Sequence, residues 1–426
     1  MNVIYDISLL GIGHNDPINK VGIYRVVEDL VYELAKMGEC DLTFSATSQL
    51  DCLLQCLKYL SENPDLNNTL VGHSDTKKFV GKRIDYLNGK IYNEVGLKRF
   101  LLKVLRKSLR YSNKFFPSTI DKKILNAADI FHTPCYPIPS IIKESKKIKN
   151  FITIYDLIPI LHPHYCRGTN NRDFIKSVLK SVGRDGYVAC ISESTKNDLC
   201  NYVKDFDPSK AFITYLAANT DIFYPCKDLE KLKSIKLKYN IPLDAKYVLS
   251  ICTLEPRKNI DHVIRCFANL ILEEHLTDLY LVLVGVKGWS YQSIFEEIEN
   301  HSFVKKRIIL TGYVADQDLA ALYSGSLVFT YLSFYEGFGL PPLEAMQCGI
   351  PVITSNTSSL PEVVGNAGIM LDPLDKDSLC QNILEIYNSS LTREQMCIAS
   401  IERAKKFNWR NCANQTIEAY KVSLEE

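Results

Sequence analysis

The sequence predicts an α/β protein whose two parallel-sheet, Rossmann-like domains face each other across a cleft. Three observations predict it. The chain has 426 residues, enough for two domains at roughly 100–200 residues each. Short apolar runs alternate with amphipathic stretches, a strand-then-helix rhythm that yields parallel sheets covered by helices. The rhythm breaks between residues 217 and 227, where Asn219, Asp221 and Pro225 cluster just before Asp228, as at a hinge. The predicted division is 1–218, 219–408, and a C-terminal segment, 409–426, that docks back onto the first domain.

In the first half, strands are predicted at Val3 to Ile7, Ile130 to His132, Phe151 to Tyr155, Tyr187 to Ile191 and Phe212 to Tyr215. A loop with Gly11, Gly13 and Gly22 leads into a helix from about Tyr24 to Met37. Residues 50–125 read as mostly helical and irregular. Helices follow at Phe174 to Val182 and Ser194 to Tyr202. In the second half, strands are predicted at Tyr247 to Cys252, Leu279 to Val284, Ile308 to Leu310, Leu327 to Tyr331, Val352 to Thr354 and Gly368 to Leu371. Ile260, Val263, Ile264, Phe267, Leu270 and Ile271 recur at helical spacing between the first two. A short helix from Leu343 to Cys348 stops at Gly349, and an amphipathic helix from about Asn411 to Leu424 ends the chain.

Hydrophobic residues are 46% of the chain and charged residues 23%, as in a soluble globular enzyme. A net charge of +1 gives no reason to expect nucleic acid. The 14 cysteines form no Cys-x-x-Cys pair, which reads as reduced thiols in a cytoplasmic protein. No signal peptide and no membrane span are predicted. Residues 97–116 carry Lys98, Arg99, Lys103, Arg106, Lys107, Arg110 and Lys114 with no acid among them. Apolar residues are interleaved at helical spacing. Two readings stand: a helix lying on an anionic membrane surface, or a solvated helix packing its apolar face on the core.

The segment Glu336-Gly337-Phe338-Gly339-Leu340-Pro341-Pro342-Leu343-Glu344 carries the most chemistry. Its glycines let the backbone approach a ligand closely. Pro341 and Pro342 stand where a helix accepts proline, at its start. A helix N-terminus offers free N–H groups to a phosphate, and a carboxylate at either end accepts from vicinal sugar hydroxyls. The residue types therefore describe a site for a phosphorylated sugar. Arg257 and Lys258 follow the strand Tyr247 to Cys252. Two cations at a strand's carboxyl end neutralise a diphosphate and stabilise a leaving group that gains negative charge.

The Glu336-to-Glu344 segment resembles the Glu-x7-Glu signature of retaining GT-B glycosyltransferases, the large family known as glycosyl transferases group 1. The resemblance covers the chain's length and is most specific from about Tyr247 to Asp372. It implies that Glu336 contacts a donor hexose and Glu344 the ribose hydroxyls. Backbone groups of Gly337, Phe338, Gly339 and Leu340 then hold sugar and phosphate, and Arg257 with Lys258 holds the diphosphate. Gly285 is expected to line the nucleotide pocket, Tyr313 and Val314 to read the base, and the loop carrying Glu362 to approach the pyrophosphate. In the first domain, Gly13 and Gly22 resemble the family's glycine loop near acceptor and phosphate. Tyr155-Asp156 occupies the place of a His-Asp pair in many relatives. Tyr155 then binds a sugar hydroxyl and Asp156 orients the acceptor. Ser192 ends the next strand and reads equally as a helix N-cap.

The implied activity is a metal-independent hexosyltransferase that retains anomeric configuration by same-face displacement. The first domain takes the acceptor and the second the nucleotide-sugar, a co-substrate; no cofactor is expected. Three Asp-x-Asp matches, at 205–207, 316–318 and 375–377, read as chance. Val286-Lys287-Gly288-Trp289 and Tyr155 to Pro159 resemble mannosyl- and rhamnosyl-transferases of bacterial surface polysaccharides. GDP-mannose is the expected donor and a glycan, polyprenyl-linked or not, the expected acceptor. A UDP- or dTDP-sugar donor and a non-catalytic sugar-binding protein are the alternatives. A nicotinamide enzyme predicts a Gly-x-Gly-x-x-Gly turn after a strand, which the sequence lacks.

Overall fold

A computed structural model describes residues 1–14, 22–47, 50–66, 70–71, 75–112, 122–145 and 147–426. Runs rich in Val, Ile, Leu and aromatic residues form two fully parallel sheets, as expected for strands buried on both faces. The first holds β1 (Asn2–Asp6), β2 (Asp41–Ser45), β3 (Leu70–Val71), β4 (Ile130–Thr133), β5 (Lys149–Ile154), β6 (Tyr187–Cys190) and β7 (Ala211–Ile213). Their order is β3-β2-β1-β4-β5-β6-β7. The second holds β8 (Lys246–Ile251), β9 (Leu279–Val284), β10 (Ile308–Gly312), β11 (Val328–Tyr331), β12 (Val352–Ser355) and β13 (Ile369–Leu371), in the order β10-β9-β8-β11-β12-β13.

In each sheet the strand order reverses beside the first strand. The chain leaves β1 and β4, or β8 and β11, toward opposite faces, and a crevice opens beyond their carboxyl ends. The loops after β8 and β11 carry Arg257, Lys258 and Glu336. The α/β expectation is met, with two differences in the first half. Strands β2 and β3 were not anticipated; a two-residue strand and the sequence Asp-Leu-Thr-Phe-Ser are too short to show a period, and pairing makes them strands, β2 with β1 and β3 with β2. The predicted loop at Gly11 and Gly13 begins as a helix, Ser8–Gly13, whose Ser8 N–H donates to Asp6 at 2.8 Å. Its glycines serve close packing. A Cβ on Gly11 would lie 2.8 Å from the Cys52 carbonyl oxygen, and one on Gly13 would lie 2.4 Å from the Tyr24 ring. Residues 15–21 of that loop lie outside the described residues.

The crossover between the sheets, with Leu216, Ala218, Phe223 and Cys226, is buried in the core of the second sheet. The last helix, Trp409–Glu425, returns to the first sheet. It buries Cys412, Ala413, Ile417 and Tyr420 with Tyr5 and Phe151. The Tyr420 hydroxyl lies 2.5 Å from His132 Nδ1, and His132 Nε2 lies 2.8 Å from Thr153 Oγ1. Burial lowers the His132 pKa to about 3, so the ring is neutral and held by hydrogen bonds. Tyr420→Phe keeps the packing and strips His132 of one partner. The expected loss is about 1–3 kcal/mol, read as a lower denaturant midpoint at unchanged slope; Tyr420→Ala should lose about 3–5 kcal/mol.

Candidate active site

A cavity of about 580 Å³ lies between the two sheets, lined from both halves of the chain. It brings together most residues that sequence reasoning had singled out. Arg257, Lys258, Glu336, Glu344, Gly337, Phe338, Gly339, Leu340, Gly285, Tyr313 and Val314 line it from the second half; Gly22, Tyr155 and Asp156 line it from the first.

At its centre is an ion cluster. Glu336 is 8% exposed and Lys258 9%, so neither charge is stable there without a partner. Lys258 Nζ lies 2.5 Å from Glu336 Oε1, and Arg257 Nη1 lies 2.7 Å from Glu336 Oε2. Lys258 also donates to the Tyr331 hydroxyl at 2.6 Å, and Tyr331 donates to Glu336 at 2.9 Å. Arg257 reaches Glu255 at 2.8 Å and the Tyr335 carbonyl at 2.6 Å. Burial alone would raise the Glu336 pKa, but Lys258 and Arg257 outweigh it and hold the carboxyl at about 2. Burial would likewise lower Arg257, and Glu336 reverses that. The two cations sit in a 3-10 turn, Pro256–Lys258, ahead of the helix Ile260–Glu274. Asn259, at φ 56°, separates turn from helix. Arg257 and Lys258 both line the cavity.

The turn after Glu336 is built by its neighbours. Gly339, at φ 116°, precedes the helix Leu340–Gln347. Pro341 and Pro342 have no N–H, so free donors are confined to the turn and Leu340. The Glu336 N–H donates to Ser358 Oγ at 2.9 Å; Ser359 Oγ donates to the Glu336 and Phe338 carbonyls at 2.9 and 2.7 Å. Glu344, one turn into the helix, accepts from the Tyr323 hydroxyl at 2.9 Å. Burial pushes its pKa up to about 7, against Arg25 and Tyr323. At Gly285 a Cβ would fall 1.8 Å from the Cys252 carbonyl, so only glycine lets β8 and β9 close there.

Asp156 accepts from the Ile158 N–H at 3.0 Å, which starts the short helix Ile158–Leu161. Burial raises its pKa, opposed by that hydrogen bond and by Arg257. Burial also keeps the Tyr155 hydroxyl protonated. Two expected residues stand elsewhere. Gly13 is packed under Tyr24 and does not line the cavity. The Glu362 carboxylate points across the cleft and accepts the N–H groups of Glu193 and Ser194 at 2.8 and 2.9 Å. Sequence reasoning missed Tyr331, Glu255 and Arg25. Tyr331 ends a strand, where the outward direction of a side chain is set by register. Arg25 stands three residues after Gly22 and pairs with Asp316 across the cleft. The three Asp-x-Asp matches have local explanations: Asp207 and Asp375 cap helical turns, and Asp318 pairs with Lys238 at 2.6 Å.

The sequence model described as "Glycosyl transferases group 1" matches residues 233–406. O-antigen chain mannosyltransferase B of Escherichia coli is 35% identical over 296 residues, covering 69% of this chain and 74% of that protein. Serotype-specific mannosyltransferase WbdA of Escherichia coli is 30% identical over 299 residues, 69% of this chain and 36% of that much longer protein. Among solved structures, Alr3699/HepE of Anabaena in complex with UDP superposes with a TM-score of 0.66 at 13% identity, covering 99% of both chains. At that identity the likeness is one of fold, and the fold is the two-domain GT-B arrangement.

Glu336→Gln tests the ion cluster directly. It leaves two buried cations short of a counter-charge, and the expected destabilisation is about 3 kcal/mol. An added nucleoside diphosphate should then raise the melting temperature of the variant more than that of the parent. Equal shifts would mean that the two cations do not meet the anion.

Proposed function

The chain belongs to the glycosyl transferases group 1 family, and from that premise we propose a retaining, metal-independent hexosyltransferase that uses GDP-mannose. It is a glycosyltransferase of the family that contains O-antigen mannosyltransferases. One observation carries the finer reading: Arg257 and Lys258 converge on Glu336 at the second sheet's switch point, beside a turn with free N–H groups. A donor diphosphate entering there competes with Glu336 for the two cations. Released from them, Glu336 accepts from the hexose hydroxyls. As the bond from the anomeric carbon to phosphate breaks, negative charge grows on the leaving diphosphate, and the two fixed cations stabilise it. The acceptor oxygen attacks the same face and its proton passes to the departing phosphate oxygen. Configuration is retained without a carboxylate nucleophile or a metal. Glu344 takes the ribose hydroxyls, and Tyr155 and Asp156 meet sugar and acceptor. No cofactor enters; the nucleotide-sugar is a co-substrate.

Mannose is preferred because the relatives at 35% and 30% identity are named mannosyltransferases. The first of these names also favours a glycan acceptor in O-antigen assembly; the basic helix Gly96–Ser112 favours one carried on a polyprenyl lipid at the cytoplasmic face of the membrane. A UDP-sugar is the second reading, because the structural neighbour binds UDP. A thermal-shift panel of GDP-, UDP- and dTDP-sugars separates them. GDP-mannose alone should raise the melting temperature, and a larger rise with UDP-glucose would reverse the assignment.

Glu344 makes the binding pH-dependent. Its folded pKa of about 7 lies above the ordinary 4.5. The folded chain therefore holds a proton that the unfolded chain has lost, and this contribution to stability falls as pH rises from 4.5 through about 7. Ribose hydroxyls need the ionised acceptor, so affinity for GDP runs the other way. It should rise between about pH 6 and about pH 8, and Glu344→Gln should flatten the profile.

A membrane-facing surface completes the proposal. The helix Gly96–Ser112 leaves Leu97, Phe100, Leu101, Val104 and Leu105 exposed rather than packed on the core. Its cations, Lys98, Arg99, Lys103 and Lys107, are exposed among them. The side chain of Arg110, and residue Lys114, lie outside the described residues. No described helix is long and apolar enough to cross a membrane. A basic helix with an uncovered apolar face fits the surface of an anionic bilayer. Neutralising Lys103, Arg106, Lys107 and Arg110 together should abolish cosedimentation with phosphatidylglycerol vesicles; unchanged binding would remove the membrane from this account.

A further inference from the structure

The donor turn is gripped from the opposite sheet at one point. Helix Glu193–Tyr202 follows β6 and begins at the cleft. Ser192, fully buried, caps this helix by accepting the Thr195 N–H at 3.0 Å. The same hydroxyl donates across the cleft to the Gly337 carbonyl at 2.6 Å. Thr195 Oγ1 lies 3.2 Å from two carbonyl oxygens, that of Tyr155 in the first half and that of Gly337 in the second. Glu362 answers from the second half by accepting the Glu193 and Ser194 N–H groups. Its carboxylate meets a helix's positive end, a favourable placement. Gly337 makes the fit tight: a Cβ there would lie 2.2 Å from the Tyr155 carbonyl oxygen.

This joint does more than pack two surfaces. A capped helix of the first sheet offers two hydroxyl groups to the carbonyl side of a turn that lines the cavity. The orientation of the Gly337 peptide therefore depends on the approach of the first sheet. We propose that Ser192 and Thr195 are positioning residues for glycosyl transfer. They align the Glu336–Gly339 turn with Tyr155 and Asp156, and Glu362 locks their helix in place. The proposal rests on the donor reading of the turn given above. Donor affinity comes chiefly from Arg257, Lys258 and Glu344, all in the second half, whereas alignment of donor with acceptor comes from this joint.

The two contributions separate in a paired measurement. Ser192→Gly keeps most of the N-cap, since glycine there costs only a few tenths of a kcal/mol, yet it loses the hydroxyl. Combined with the near-isosteric Thr195→Val, it should lower kcat by about tenfold or more. The Kd for GDP should stay within about threefold of the parent. Thr195→Ser, which keeps a hydroxyl, should recover activity in the Ser192→Gly background that Thr195→Val does not. Spin labels on Lys204 and Lys376 should report a longer or broader distance distribution in the double variant. An unchanged kcat with an unchanged distance overturns the proposal. So does a loss confined to GDP affinity, because the hydroxyls would then serve only the donor. Failure of the parent protein to bind any nucleoside diphosphate counts against the donor reading instead, and the same titration detects it first.

Discussion

The site depends on one buried balance of charge: Glu336 against Arg257 and Lys258. Each of the three is costly to bury alone, and together they are stable only because the loops after β8 and β11 end side by side. That adjacency comes from the reversal of strand order in the second sheet, which opens a crevice between those loops. Tyr331, at the end of β11, completes the cluster by donating to the carboxylate and accepting from the lysine. The cluster thus keeps two cations in place, desolvated and pointed at the cavity. A transferase needs that preorganisation when its leaving group acquires charge.

Around that centre the residues divide by role. Glycines act by what they lack: Gly285 and Gly337 stand where a Cβ would strike a carbonyl oxygen. Serines and tyrosines shape the backbone. Ser358 and Ser359 hold the Glu336–Gly339 turn from within the second half, while Ser192 and Thr195 reach it from the first. The acids differ by environment. Glu336 is held ionised by its cations, whereas Glu344, buried with less positive charge nearby, titrates near neutrality. Two glutamates of one motif therefore differ in ionisation near neutral pH.

The first half presents two different surfaces. One end of its sheet meets the second half across the cleft, through Arg25, Ser192, Thr195 and Asp198, the last accepting from Tyr335 at 2.8 Å. Further along the chain, helix Gly96–Ser112 turns apolar and basic residues outward. The C-terminal helix joins the first sheet by burying Tyr420 against His132.

Much of this was legible in the order of residues. Strand-helix rhythm disclosed two parallel sheets, and the Glu336-to-Glu344 segment with Arg257 and Lys258 disclosed residues that line one cavity. These features are local: a period, a glycine turn, a pair of cations after a strand. Four others became visible only in three dimensions. Strands β2 and β3 exist because β1 lies beside β2 and β2 beside β3, not because their few residues show a period. Gly13 serves the Tyr24 ring, and Glu362 reaches over to a helix of the other half. Ser192, which looked like an ordinary cap, also holds a carbonyl 145 residues away. The physical reason is common to all four. Local sequence specifies which groups a segment offers, but a hydrogen bond or a close contact needs a partner, and the approach of the two sheets chooses that partner.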